Sequence, residues 1–145
     1  MGNCYNSTVV DAPREKVWET IKDFHNLSWA EPVVTKVDVI GEKSGSEIGA
    51  TRLLNDAFLE TLVSVNENEY TFTYSIDDGP EPLSKDSLSN YLGTVRLYPV
   101  TDSNATFIEW TSSYESGSEQ AVSDFCNPIY VALLGALKSF LITEK

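Results

Sequence analysis

The chain has 145 residues, and 41% of them are hydrophobic, enough apolar material for one domain over residues 1–145 with a sizeable core. Its 22 acidic side chains outnumber 10 basic ones, for a formal net charge of −12. A field of that sign repels phosphate backbones and anionic headgroups, so it argues against nucleic acid or a charged membrane surface as partner and leaves neutral, hydrophobic ligands open.

In chain order, residues 3–10 predict a strand. A short helix follows: Asp11 can cap it, Pro13 suits its first turn, and Val17, Trp18 and Ile21 fall on one face. A second, irregular helical turn is expected over residues 23–30, ending before Pro32, which disfavours helix at Glu31. That turn carries Phe24, Leu27 and Trp29 beside the single histidine, His25. So much apolar surface where the chain breaks serves either core packing or the mouth of a pocket.

From Val33 the hydrophobic period changes to two. Strands are expected at "VVTKVDVIGE", "ATRLLN", "FLETLVSVNE", "YTFTYSI", "NYLGTVRLYPV" and "ATFIEWTSSYE". In the fourth of these, Tyr70, Phe72, Tyr74 and Ile76 share one face. A Gly/Pro/Asp-rich loop, "DDGPEPLSKDS", separates it from the fifth. Connections this short imply an antiparallel meander. From residue 118 a final helix carries Val122, Phe125, Ile129, Leu133, Leu137 and Phe140 at three- and four-residue steps. Asn127-Pro128 interrupts it, with Asn127 as a cap and Pro128 opening a restarted helix, so a kink is expected there.

The order is therefore strand, two short helices, six strands, long helix, an α+β class. A twisted antiparallel sheet of seven strands curls around one helix, but a helix about 10–12 Å across cannot fill that curl along its length. The remainder is packed by aromatic side chains or left as a cavity, with Phe24, Leu27 and Trp29 as a lid over one end. Core and cavity wall are then the same face, lined by Phe72, Tyr74, Trp110 and Tyr114 from the sheet and Phe125, Ile129 and Leu133 from the helix. Buried phenols such as Tyr74 and Tyr114 need a hydrogen-bond partner or a polar ligand group.

Other features are quieter. Cys4 and Cys126 lack metal-ligand spacing and read as reduced, buried, small hydrophobes. The start has no basic region followed by an apolar run, and the sequence reading finds no stretch approaching the roughly 20 apolar residues of a membrane span; cytoplasm is the expected compartment. "MGNCYNS" places Asn6 where a myristoylation signal wants Ser or Thr. There is no GxGxxG, P-loop, CxxC or GxSxG, and neither a metal nor a cofactor is called for.

The segments "APREKVWETIKDF", "GATR", "LETLVSV", "SNYLGTVRLYPVT", "TFIEWTSSY" and "LLGALKSFL", in this order over essentially the whole chain, resemble the polyketide cyclase/dehydratase-like branch of the START/birch-pollen-allergen superfamily. The resemblance implies a helix-grip fold. It leaves function open among lipid carriers, hormone receptors, ring cyclases and isomerases. Members related to lachrymatory-factor synthase carry an Arg, a Glu and a Tyr on corresponding strands, which implies a catalytic role for Arg52, Glu60 and Tyr91. Parity places Glu60 and Tyr91 on inward faces but leaves the side of Arg52 open; inward is the expectation. The three either meet in the cavity, where an Arg–Glu pair and a phenol orient or deprotonate a ligand, or form a surface cross-strand ion pair. The expectation is a monomer or weak homodimer, without stable membrane insertion, that binds a small hydrophobic molecule, lipid or polyketide-like. The alternatives are an acid–base cyclase, dehydratase or isomerase, and a packed interaction module without ligand.

Overall fold

The computed structural model describes residues 1–144. Alternation of apolar and polar residues builds one seven-stranded antiparallel sheet from β1 (Gly2–Val10), β2 (Val37–Ile40), β3 (Thr51–Leu54), β4 (Phe58–Asn66), β5 (Thr71–Asp78), β6 (Leu88–Val100) and β7 (Ala105–Ser116). The spatial order is β1-β7-β6-β5-β4-β3-β2, so β2 to β7 form a meander and β1 returns beside β7. Helix α1 (Arg14–Ile21) and a 3-10 turn (Ser28–Ala30) carry the chain from the β1 edge to the β2 edge. Irregularities between Leu59 and Glu60, Leu62 and Ser64, and Ser89 and Leu92 increase the local twist. The sheet curls round helix α2 (Glu119–Glu144), the helix-grip arrangement that the resemblance implies.

Four local details differ from the sequence expectation. Helix α1 starts with Pro13 in the cap position and no side-chain cap bond, so Asp11 is not its cap. The segment 23–30 forms only the short 3-10 turn, because Asp23 and Asn26 bind the backbone N–H groups of His25 and Ser28, which competes with helix. Strand β2 spans four residues, not ten. Ahead of it, the Val34 N–H turns back to the Ala30 carbonyl, and the N–H groups of Thr35 and Lys36 donate to Asn55 Oδ1.

The fourth detail is α2, which runs through Pro128 without restarting. Asn127 Oδ1 accepts from Asn6 Nδ2 at 2.9 Å instead of capping. Pro128 and Asp124, whose carbonyl loses its helical donor, are both exposed, so water can satisfy that oxygen. The buried stripe is Val122, Cys126, Tyr130, Leu133, Leu137 and Leu141, while Phe125, Ile129 and Phe140 flank it half-buried. Glu119–Ile142 is also long and apolar enough to cross a bilayer, at a mean hydropathy of 1.6, contrary to the sequence reading; here its buried stripe packs in the sheet.

Because Pro128 sits on the solvent face, Pro128→Ala should restore one helical hydrogen bond and stabilise the fold by about 1–3 kcal/mol in urea unfolding. A destabilised variant would mean that the sheet requires whatever bend Pro128 imposes.

Candidate ligand cavity

Arg52 on β3 and Glu60 on β4 are direct cross-strand partners, and both are buried, with 6% and 5% exposure. Arg52 Nε donates to Glu60 Oε1 at 2.8 Å, and Nη2 lies 2.7 Å from the same oxygen. Nη1 donates to the Phe24 carbonyl at 2.9 Å. The guanidinium carbon stands 3.8 Å from the Phe24 ring centre, a cation–π contact that desolvation strengthens. Among the described residues no donor reaches Glu60 Oε2. Burial pushes the Glu60 carboxyl above its usual range, and the nearby Arg52 charge pulls it back only in part.

A second polar group comes from aromatic side chains. Tyr74 on β5 pairs with Gly93 on β6, and a Cβ added at Gly93 would stand 2.4 Å from Tyr74 Cζ. The missing side chain lets the Tyr74 ring lean over β6 toward β7. There Trp110 Nε1 donates to the Tyr74 hydroxyl at 3.0 Å. The Tyr74 and Tyr130 hydroxyls are 3.3 Å apart, and Tyr130 bonds in turn to Tyr91. Burial pushes all three phenols up, so they act as neutral donors and acceptors.

Between these groups lies a cavity of about 190 Å³. Of the expected site residues, Leu27, Arg52, Glu60, Tyr74, Trp110, Ile129 and Leu133 line it. Phe24 lies against the Arg52 guanidinium and is not in the lining. Phe72 packs on Trp18 in the core, and Trp29 is buried outside the lining. Tyr91 stands behind Tyr130, with Tyr114 stacked on it at 5.6 Å, and Phe125 stacks on Phe58 at 6.4 Å. Leu27 alone of the supposed lid reaches the cavity; Val33, Val34 and Leu83 join it from two loops. His25 bonds through Nε2 to the Thr51 carbonyl at 3.1 Å and is not in the lining.

Sequence reasoning missed Tyr130, Cys126 and Leu83. Tyr130 and Cys126 were legible as the four-residue steps Val122, Cys126, Tyr130. Leu83 is the one large apolar residue within its polar loop, and it is 1% exposed.

A curved sheet closed on a long helix, with a small cavity between them, defines a helix-grip protein. Residues 1–140 match the profile of the family described as "Polyketide cyclase / dehydrase and lipid transport", and the chain belongs to that family. No curated protein sequence matches it. Among solved structures, a Nitrosospira multiformis protein is 43% identical over 94% of each chain, with a TM-score of 0.91. The protein XoxI from Bacillus cereus is 26% identical over 100% of this chain and 99% of its own, with a TM-score of 0.80. Norcoclaurine synthase from Thalictrum flavum, solved with dopamine and hydroxybenzaldehyde, is 12% identical over 99% of this chain and 87% of its own; its TM-score of 0.76 shows a shared fold.

Gly93→Ala should displace the Tyr74 ring and break its bonds to Trp110 and Tyr130, costing about 1–3 kcal/mol of stability. The displaced indole would show in the tryptophan fluorescence. An unchanged spectrum with unchanged stability would mean that Tyr74 does not depend on the glycine.

Proposed function

We propose that the chain binds one small, neutral, largely apolar molecule in this cavity, with Glu60 Oε2 accepting a hydrogen bond from it. The one-sided pairing of Glu60 carries the reading. Both guanidinium contacts fall on Oε1, which leaves a carboxylate oxygen free in a largely apolar chamber. Arg52 already balances its charge, so a charged ligand would be buried unpaired at a cost of several kcal/mol. Volume sets the size. An apolar cavity of about 150 Å³ admits benzene, so 190 Å³ suits a single ring or a short chain rather than a long lipid.

The same carboxyl supports a second reading, acid–base chemistry on that ligand. Burial raises the proton affinity of Glu60 and makes it a stronger base than an exposed glutamate. Glu60 would take a proton from the ligand, Arg52 would hold the carboxylate and the negative charge that develops, and the Tyr74 and Tyr130 hydroxyls would orient the polar end. Tyr91 would act through Tyr130. Cyclisation, dehydration and isomerisation all need such a step. In that case Glu60→Gln lowers turnover about a hundredfold while binding largely persists.

Calorimetry with three ring-sized probes tests the binding reading. Benzyl alcohol should bind 1:1, toluene about tenfold more weakly for want of a donor, and benzoate not measurably. Glu60→Gln should narrow the gap between the first two. A long-chain fatty acid that binds more tightly than benzyl alcohol, or no saturable binding of any probe, would sink the proposal.

The pH dependence has a definite sign. An alcohol donor favours the ionised carboxylate, so its affinity is full above the folded-state pKa of Glu60 and falls as pH drops through it. That value lies above the ordinary ~4.3, so the loss should begin in mildly acid solution. Affinity that is flat from about pH 7 to about pH 4 would remove Glu60 from the contact.

A further inference from the structure

A cluster of nucleophilic and hydroxyl side chains lies where β1 meets α2. Cys4 faces inward from β1 and Cys126 inward from α2; both are buried, free thiols. Two links bracket them. Ser123 Oγ donates to the Asn3 carbonyl at 3.4 Å, and Asn6 Nδ2 donates to Asn127 Oδ1 at 2.9 Å. The neighbours of each cysteine are thus joined across the gap. The two buried thiols lie in the gap that these links bracket, close enough for each to act on the other's titration. Ser112, the cross-strand partner of Cys4, brings a buried hydroxyl, and Ser123 and Tyr114 bring two more. Cys126 also lines the ligand cavity, and Cys4 lines a separate pocket with Asn3, Ser112 and Ser113, so a small oxidant can approach the pair from either side.

We propose that Cys4 and Cys126 form a redox-active dithiol, which a peroxide closes to a disulfide that ties the edge strand β1 to α2 beside the cavity. A structural cysteine buried among apolar groups is inert; this pair has a second thiol and three hydroxyls around it. The neighbouring Cys126 thiol, ahead of the nearby hydroxyls, holds the Cys4 thiol below its usual range, against the opposing effect of burial. The Cys4 thiol beside it, and then burial, push Cys126 up. Cys4 is therefore the attacking thiolate and Cys126 the resolving thiol.

In the first step the Cys4 sulfur gives an electron pair to one peroxide oxygen. The O–O bond breaks, a sulfenic acid forms, and the other oxygen takes a proton and leaves as water. In the second step the Cys126 sulfur attacks the sulfenic sulfur. The S–O bond breaks, and the hydroxyl leaves as water with the proton of Cys126. Two electrons pass from the thiols to the peroxide, and its two oxygens leave as two waters.

The test uses the full chain, reduced, freed of reductant and titrated with hydrogen peroxide. Alkylation under denaturing conditions, intact mass and peptide mapping follow. A monomer should lose two hydrogens and both alkylatable thiols together, with one peptide cross-linking Cys4 to Cys126, and dithiothreitol should reverse the change. In Cys126→Ser, where Cys4 lacks its resolving partner, peroxide should carry Cys4 on to the sulfinic acid. Three wild-type results would each overturn the proposal: one cysteine oxidised while the other stays alkylatable, disulfide-linked dimers, or both thiols intact at doses that convert the exposed Met1 to its sulfoxide.

Discussion

Taking a guanidinium and a carboxylate out of water costs several kcal/mol for each ion, and mutual attraction offsets this only when the remaining donors and acceptors are also placed. The surroundings of Arg52 and Glu60 follow from that requirement. Cross-strand register puts them opposite one another on β3 and β4, and the irregularity between Leu59 and Glu60 falls at the carboxylate itself. The bond from Arg52 to the Phe24 carbonyl requires the segment after α1 to pass close over the sheet. That segment is held from its other side, where the Phe24 N–H donates to the Gly45 carbonyl at 3.0 Å. A Cβ at Gly45 would stand 1.8 Å from Asp23 Oδ1, so the close approach depends on the glycine. One buried ion pair thus specifies the path of the chain over residues 23–27.

The tyrosines solve a related problem with neutral groups. A large ring on a concave sheet needs somewhere to lie, and twice it lies across a glycine on the neighbouring strand: Tyr74 over Gly93, and Tyr114 over Gly2. Lying flat brings each hydroxyl to α2, where Tyr130 meets Tyr74 and Ser123 meets Tyr114. The helix is therefore fastened to the sheet by hydrogen bonds as well as by its apolar stripe. Every such phenol is paired, as a buried hydroxyl must be. The ion pair and the phenols leave an apolar volume between them because neither can fill it without losing a partner.

This division explains what was readable in the chain. Period-two alternation located the strands closely, and it put Phe72, Tyr74 and Ile76 on one buried face because a strand has only two faces to choose from. Arg52 was ambiguous because "TRLL" has two leucines in succession; its side becomes clear only with Glu60 opposite. Residues 33–36 were misjudged because Asn55, distant in sequence, binds their backbone, and residues 23–30 because the Asp23 and Asn26 side chains compete with the helix for its N–H groups. Tyr130 was overlooked because a stripe of Phe125 and Ile129 fits the helical period as well as one of Cys126 and Tyr130. The two stripes lie one residue apart, and only the sheet decides which is innermost. Pro128 reads as a break in any local analysis, yet an exposed proline on a helix held along its other face costs one solvated carbonyl and does not end the helix.

Outside and inside, charge acts at different ranges, and together the two effects narrow what the chamber can receive. The net charge of −12 is spread over a surface where it is screened within about 8 Å at physiological salt, so it chiefly reduces the encounter rate of anions. Within the cavity screening is much weaker, and Arg52 and Glu60 cancel. A cation attracted to the surface would still have to shed its water beside a guanidinium. An anion would meet the free oxygen of a carboxylate. Neutral molecules incur neither penalty, and in the proposed binding mode those with one donor would gain the hydrogen bond that Glu60 Oε2 lacks. Against anions the exterior field and the interior ion pair therefore act in the same direction, one through rate and the other through affinity, whereas against cations only the interior acts.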